Sequence, residues 1–376
     1  MSKENLLIVA DSERDANMLY AVRMFVPDAF IYLKLDGVCH VVMSDLEIDR
    51  ARKTARHCKV HSLTEIQSRL KKSGVKRPGL AQIIRALLKE NGTRKISVPP
   101  NFPYGLARQL RDLNLKLKVW KHEILPDREL KDREEVKKIS AALIMAEVGL
   151  SEGIQAIKRA KVGKNRRLVL NNSPLTSERL RAIIDTAIIQ AGGFANHTIV
   201  SCGNQACDPH ERGSGPLKAN LPVIIDVFPR SQKTGYFGDI TRTVVKGRAP
   251  DAIRKMYHSI AQGQEIALAE ITHGASGKEI HLKVNRYFES QGFKTGKHNG
   301  RMQGFFHGTG HGVGLEIHEA PRISKTSTDT LRAGHVVTIE PGLYYPGIGG
   351  VRLEDMAYVT RNGPKNLTKF EKVLEV

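Results

Sequence analysis

The sequence predicts an α+β protein of two domains, a smaller three-layer α/β domain followed by a larger α+β domain. Three observations predict it. Short β-branched apolar runs alternate with amphipathic helical stretches over residues 1–122. Beyond residue 127, long helical runs separate strands that each carry one acidic residue among apolar ones. And 376 residues exceed one typical domain while allowing two buried cores.

The elements follow in order. "NLLIVAD", "AFIYLKL" and "VCHVVMS" read as strands. "LAQIIRALLKENG" reads as a helix closed by Asn-Gly, and "KISVPPNFPYGLARQLRDLN" as a strand, a Pro-rich turn and a helix. This alternation is the pattern of a sheet with helices on its faces. "LKVWKHEILPD" reads as a last strand running into a linker. The expected boundaries are 1–122, a linker over 123–130, and 131–376. The second domain opens on "DREEVKKISAALIMAEVGLSEGIQAIKRA", acidic at its start and basic at its end, which suits a helix dipole. "SERLRAIIDTAIIQAGG" and "APDAIRKMYHSIAQGQEIALAEI" are further helices, and "LPVIIDVF", "GDITRTVVKG", "HVVTIEPGLYY" and "VRLEDMAYVT" are strands.

Composition narrows the function class. Hydrophobic residues at 40% and charged residues at 26% fit a water-soluble globular chain. Neither a signal peptide nor a membrane span is legible, so no membrane partner is expected. Cys39, Cys58, Cys202 and Cys207 form no CxxC pair, which points to a reduced, cytoplasmic protein and gives no support to a cysteine zinc site. The net charge is +20. Residues 1–125 hold 23 Lys/Arg against 13 Asp/Glu, so half of that excess lies in the first third. "DRARKTARHCK" and "RLKKSGVKRPG" would attract phosphates, yet neither has aromatic interleaving or a nucleic-acid module. Solvated basic faces are the preferred reading, and nucleic acid is not an expected partner.

Chemistry concentrates elsewhere. Asp226, Asp239, Glu340 and Glu354 each sit in an apolar strand. A carboxylate there carries a large desolvation cost unless a cation or hydrogen bonds satisfy it. One such acid is usually a paired carboxylate; four, converging from one sheet, suggest a cation site. "HGTGHGVGLEIHE" adds His307, His311 and His318. Gly308, Gly310, Gly312 and Gly314 exclude a helix for this stretch and would let the backbone approach the site. Four carboxylates and an imidazole could hold two divalent cations. Oxygen-rich ligation favours Mn²⁺, with Co²⁺, Fe²⁺ or Zn²⁺ also admissible. "HEAPR" is not an HExxH zinc motif, because Arg322 stands where the second His would be.

Asp226 and Asp239, followed by "HGTGHGVGLEIHE", "TIEPG" and "GGVRLED", resemble in order the pita-bread metallopeptidases, specifically the aminopeptidase P and prolidase branch. The resemblance covers about residues 127–376; residues 1–122 look like that branch's smaller, creatinase-like N-terminal domain. It implies hydrolysis of the bond before a proline at the second position of a peptide, and a homodimer. It also implies roles. Asp226 would bind one metal, Asp239 and Glu354 would bridge both, and His311 and Glu340 would bind the other. Glu340 would also accept a proton from the attacking water. His318 would stabilise the oxygen of the tetrahedral intermediate, and His307 would line the proline pocket. His210 would position substrate, with His197 as its rival, and Arg352 would orient the carboxylate two positions on.

Two departures stand out. Asp226 and Asp239 are thirteen apart where the family usually has eleven, so the extra residues are expected at the tip of the hairpin between them. Val227 and Phe228 follow Asp226 where a glycine usually comes second, and Glu211 follows His210 where His or Tyr is usual. The leading expectation is an Xaa-Pro aminopeptidase. An Xaa-Pro dipeptidase is the enzymatic alternative, and a pita-bread module repurposed for binding, nucleic acid being one such ligand, the non-enzymatic one.

Overall fold

In the computed structural model, which describes residues 5–121 and 123–376, strand β1 (Leu6–Ala10) serves two cores. Leu7 and Val9 enter one; Leu6 and Ile8 enter the other. A strand buried on both faces reads as an unbroken apolar run, as "LLIVA" does. With β2 (Phe30–Leu35), β3 (Val38–Met43), β4 (Cys58–Ser62), β5 (Lys95–Val98) and β6 (Lys116–Val119) it forms one sheet in the order β4-β3-β2-β1-β5-β6. Helices α1 (Ala16–Val22) and α2 (Ile48–Thr54) cover one face through Met18, Val22 and Ala51. Helices α3 (Leu63–Lys72), α4 (Leu80–Glu90) and α5 (Tyr104–Asp112) cover the other through Ile66, Leu87 and Leu110. The expected three-layer arrangement is therefore observed. His122, in the segment expected to lead into the linker, and Met1–Glu4 lie outside the described residues.

The chain divides into two compact units, Met1–Pro126 and Asp127–Val376. In the second, α6 (Arg133–Arg159) begins at a reciprocal cap. Asp132 accepts from the Glu135 N–H at 2.8 Å, and Glu135 accepts from the Asp132 N–H at 3.0 Å. Helix α7 (Ser177–Gln190) packs so closely on α6 that a Cβ at Gly149 would lie 2.6 Å from Ile188. Helices α8 (Asp251–Glu270) and α9 (Gly277–Ser290) enclose a core with Met256, Ile260, Val284 and Phe288. Among the described residues no helix is long and apolar enough to cross a membrane.

The strands correct one expectation. They do not form a single sheet. Ile199–Cys202, Pro222–Val227 and Ile240–Val245 make a three-stranded antiparallel sheet. Gly310–Gly312, Glu319–Ile323, Val336–Ile339, Asp355–Thr360 and Gly363–Asn366 make a five-stranded one. "HVVTIEPGLYY" breaks after Ile339, and "VRLEDMAYVT" breaks between Arg352 and Asp355. Gly342–Tyr345 and Gly349–Arg352 pair as a separate hairpin. Pro341, with no N–H to give a ladder, sits at the first break. Three of the four acids consequently lie at strand ends, where the chain passes between sheets.

Candidate metal centre

Asp226 is held mid-strand, opposite Thr241 on the neighbouring strand. Asp239 immediately precedes that neighbour, Ile240–Val245, and its N–H donates to Met356 Sδ at 3.2 Å. Glu340 and Glu354 occupy the two breaks described above; the Glu340 N–H is taken by Thr309 O at 2.8 Å, and the Glu354 N–H by Thr241 O at 3.0 Å. His311 sits at the centre of the strand Gly310–Gly312. Backbone crowding explains its flanking glycines. A Cβ at Gly310 would lie 1.9 Å from Thr338 O, and one at Gly312 2.1 Å from Ala320 O. Any larger residue would push His311 off the acids.

The result is one cluster. Asp239, His311 and Glu354 each bring a ligand atom within 4.8 Å of the others, and all three are buried. His311 Nδ1 lies 3.1 Å from Gly312 O, an acceptor only, so Nδ1 carries the hydrogen and Nε2 presents a lone pair. That lone pair lies 3.4 Å from Glu340 Oε1 and 3.7 Å from Asp239 Oδ2. Burial, and then neighbouring His318, drop the His311 pKa to about 3, so the imidazole itself is neutral at neutral pH. A lone pair facing two carboxyls needs a proton on one of them or a cation between them.

The acids behave consistently with this. Burial first, then Glu354, Asp226 and Glu340, hold the Asp239 carboxyl well above the usual carboxylate range. Burial, then Glu340 and Asp226, do the same to Glu354. Burial pushes Glu340 up to about 7, against the pull of Arg352. Asp226 Oδ1 is buried with no hydrogen-bond partner. Unsatisfied carboxylate oxygens and an outward-facing imidazole are a donor set for hard or borderline divalent cations, and the residues present fit such ions.

Around the cluster lies a cleft of about 560 Å³ lined by His210, Phe228, Phe306, His307, His318, Arg322 and Arg352, among others. His307 has both nitrogens engaged: Nδ1 donates to Gly308 O at 2.8 Å, and Nε2 accepts from the Tyr344 hydroxyl at 2.9 Å. It is a fixed wall of the cleft. His318, exposed at the cleft, stands edge-on to His311 with ring centroids 4.4 Å apart. His210 is exposed and lines the cleft; His197 is exposed and is not among its lining residues. Arg352 reaches Glu354 through Thr241, to whose Oγ1 its Nε donates at 3.4 Å. It donates directly to Asp226 Oδ2 at 2.6 Å and to Tyr344 Oη at 2.9 Å, and Glu354 takes its hydrogen bond from Thr241 Oγ1 at 2.8 Å. Arg352 precedes Glu354 by two residues and ends the hairpin strand, so its side chain reaches the Asp226 sheet. The segment between Asp226 and Asp239 contributes beyond its turn. Phe228 lines the cleft, and Arg230–Ser231 pairs with Gly193–Phe194.

Sequence reasoning missed three contributors. Tyr344 links Arg352 to His307, Thr241 serves Glu354, and exposed Arg322 places a cation at the cleft. Tyr344 and Thr241 read as ordinary strand residues. Arg322 was visible only as a missing histidine.

A scaffold of antiparallel sheets carrying a buried acid–imidazole cluster at the floor of a cleft defines a hydrolase that works with divalent metal. Residues 137–361 match metallopeptidase family M24, and the chain belongs to that family. It is 31% identical over 286 residues to an Xaa-Pro dipeptidase of Pyrococcus horikoshii, a match covering 75% of each chain. The crystal structure of the prolidase from Pyrococcus horikoshii superposes with a TM-score of 0.79 at 26% identity, covering 99% of this chain and 95% of that one. The X-Pro aminopeptidase of Thermotoga maritima shares the fold, with a TM-score of 0.82 at 21% identity, over 99% of this chain and 97% of that one. Membership in a peptidase family removes the non-enzymatic alternative.

Proposed function

We propose that the chain hydrolyses the bond between an N-terminal residue and a following proline, and that Asp226, Asp239, His311, Glu340 and Glu354 hold two divalent cations, Mn²⁺ first among them. The observation that carries the metal assignment is the proton-free His311 Nε2 facing Glu340 and Asp239 at 3.4 and 3.7 Å. When bound, such ions make water a nucleophile at neutral pH and polarise the scissile carbonyl.

The chain's own residues supply the rest. Glu340, with its carboxyl pushed up to about 7, is suited to take and return a proton near neutral pH. His318 borders the cluster and is the donor proposed for the oxygen that gains charge in the transition state. His307, fixed by Tyr344 and Gly308, offers a rigid face for a proline ring. His210, at the exposed side of the cleft, is the proposed positioning group for the substrate.

A dipeptidase is better supported than the aminopeptidase expected from sequence. The P. horikoshii relative is named an Xaa-Pro dipeptidase, and exposed Arg322 offers a cation for the free carboxylate of a dipeptide. The test is Mn²⁺-reconstituted protein on Xaa-Pro, Xaa-Pro-Yaa and Xaa-Pro-amide. Cleavage of the dipeptide alone supports the dipeptidase; equal cleavage of longer peptides restores the aminopeptidase; no cleavage of any rejects both. The expected homodimer and cytoplasmic setting rest on the resemblance and the cysteine pattern, and light scattering tests the dimer.

A further inference from the structure

Cys39 and Cys58 are far apart in sequence yet directly opposite each other on the parallel strands β3 and β4. Both lie on the face packed with Tyr32, Val41 and Met43. Neighbouring strands run about 4.8 Å apart, so opposed Cα atoms fall within the span of roughly 4.4–6.8 Å that a disulfide bridges. Both thiols are free, Cys39 partly exposed and Cys58 buried. Cys39 lies near the start of β3, beside exposed Val38, so a small solute reaches it without opening the core.

The surroundings distinguish the two sulfurs. The Tyr32 hydroxyl lies 3.2 Å from Cys39 Sγ. A hydrogen bond from the Cys58 thiol, ahead of those from Tyr32 and the fields of Lys34 and His57, lowers the Cys39 pKa to about 5 against the cost of burial. Cys58, hydrogen-bonded to Cys39 and desolvated, is pushed up and keeps its proton. The partly exposed sulfur is thus the one whose thiolate is favoured. The other is a buried thiol already in contact with it.

We propose that Cys39 and Cys58 form a peroxide-oxidisable dithiol, a covalent modification site on the N-terminal unit that is independent of the metal cluster. The Cys39 thiolate attacks one oxygen of a hydroperoxide. The O–O bond breaks, and the leaving oxygen takes a proton to give water or an alcohol. Cys39 becomes a sulfenic acid. The Cys58 sulfur then attacks Cys39 Sγ and the S–O bond breaks. The oxygen leaves as water with the Cys58 proton. Two thiols are oxidised to one disulfide, and the peroxide is reduced. Burial of Cys58 is no obstacle, because its target is the adjacent sulfur.

The experiment treats the reduced, full-length protein with a small excess of hydrogen peroxide at pH 7, then counts thiols after denaturation and maps tryptic fragments. The expected result is loss of two of the four thiols. Fragments 35–50 and 57–59 should be recovered joined, lighter by two hydrogens and separated again by dithiothreitol. In Cys58→Ser, dimedone should instead capture a sulfenic acid on Cys39. Survival of all four thiols would overturn the proposal. So would oxidation confined to Cys202 and Cys207, or Cys39 oxidised beyond sulfenic acid in the wild type with the fragments unlinked.

Discussion

Glu354 and Asp355 are adjacent in sequence, and both are 2% exposed, yet they live in opposite electrostatic worlds. Asp355 is completed by the chain. Arg242, itself 1% exposed, donates to Asp355 Oδ1 at 2.9 Å; Lys372 donates to Oδ2 at 2.8 Å and Asn366 to Oδ2 at 3.2 Å. Glu354 receives one neutral hydroxyl, from Thr241, and faces Glu340 and Asp226. Asp355 has two cationic partners of its own; the cation nearest Glu354, Arg352, is hydrogen-bonded to Asp226 and shared among the clustered acids. A buried carboxylate left without a counter-charge is costly. Its retention makes sense where an outside cation completes it, and that difference marks the functional face.

The comparison breaks most visibly on the uncompensated side. Glu354→Ala and Asp239→Ala should each lose metal and, with it, all detectable peptide turnover. Elemental analysis showing full metal content in either variant would falsify their assignment as ligands.

Next in size is His318→Ala. It borders the cluster without belonging to it, so metal content should persist. Loss of one transition-state donor costs on the order of 100-fold to 1,000-fold in kcat, with little change in KM. His311→Ala should do the reverse and lose metal. Metal loss in His318→Ala, with His311→Ala still loaded, would exchange the two assignments.

A pH series on metal-free protein gives a smaller effect with a definite sign. Asp239, Glu340 and Glu354 all have carboxyls raised by burial, Glu340 to about 7. A raised folded-state pKa means the folded protein binds more protons than the unfolded chain. Stability should therefore fall as pH rises from the ordinary carboxyl range, about 4, toward 7 and above. Saturating Mn²⁺ should flatten that decline, since the cation replaces the proton. Thermal unfolding across pH 4–8, with and without metal, reads both curves. Identical slopes would mean the cluster does not bind the ion.

The smallest expected effect is none. Lys71, Lys72, Lys76 and Arg77 are all exposed. Neutralising all four should leave turnover of small peptides unchanged. A large loss in a steady-state assay would contradict their reading as a solvated basic face.

The family and the class of fold were legible because they rest on local signals: apolar acids, alternating glycines, and the strand–helix alternation of residues 1–122. The partition of the strands was not. It depends on where the chain leaves one sheet for another, and Pro341 marks only one of those places. Nor could the sequence tell which acid of "LED" has a protein counter-charge, since Arg242 lies more than a hundred residues away. Arg352 was assigned to the nearer acid in sequence; folding gives it Asp226 as a direct partner and Glu354 through Thr241. Tyr344 and Thr241 were invisible because a strand hydroxyl carries no mark of its partner.

The central claim is that Glu354 is a carboxylate with no cationic hydrogen-bond partner of its own, whereas Asp355 has two. Urea unfolding of metal-free wild type, Glu354→Gln and Asp355→Asn at pH 8 tests it most directly. Removing the unpaired charge should raise stability in Glu354→Gln. Removing one partner of the buried ion pair should lower it by about 3–5 kcal/mol in Asp355→Asn. Equal destabilisation of both variants, or a gain in Asp355→Asn, would contradict the account.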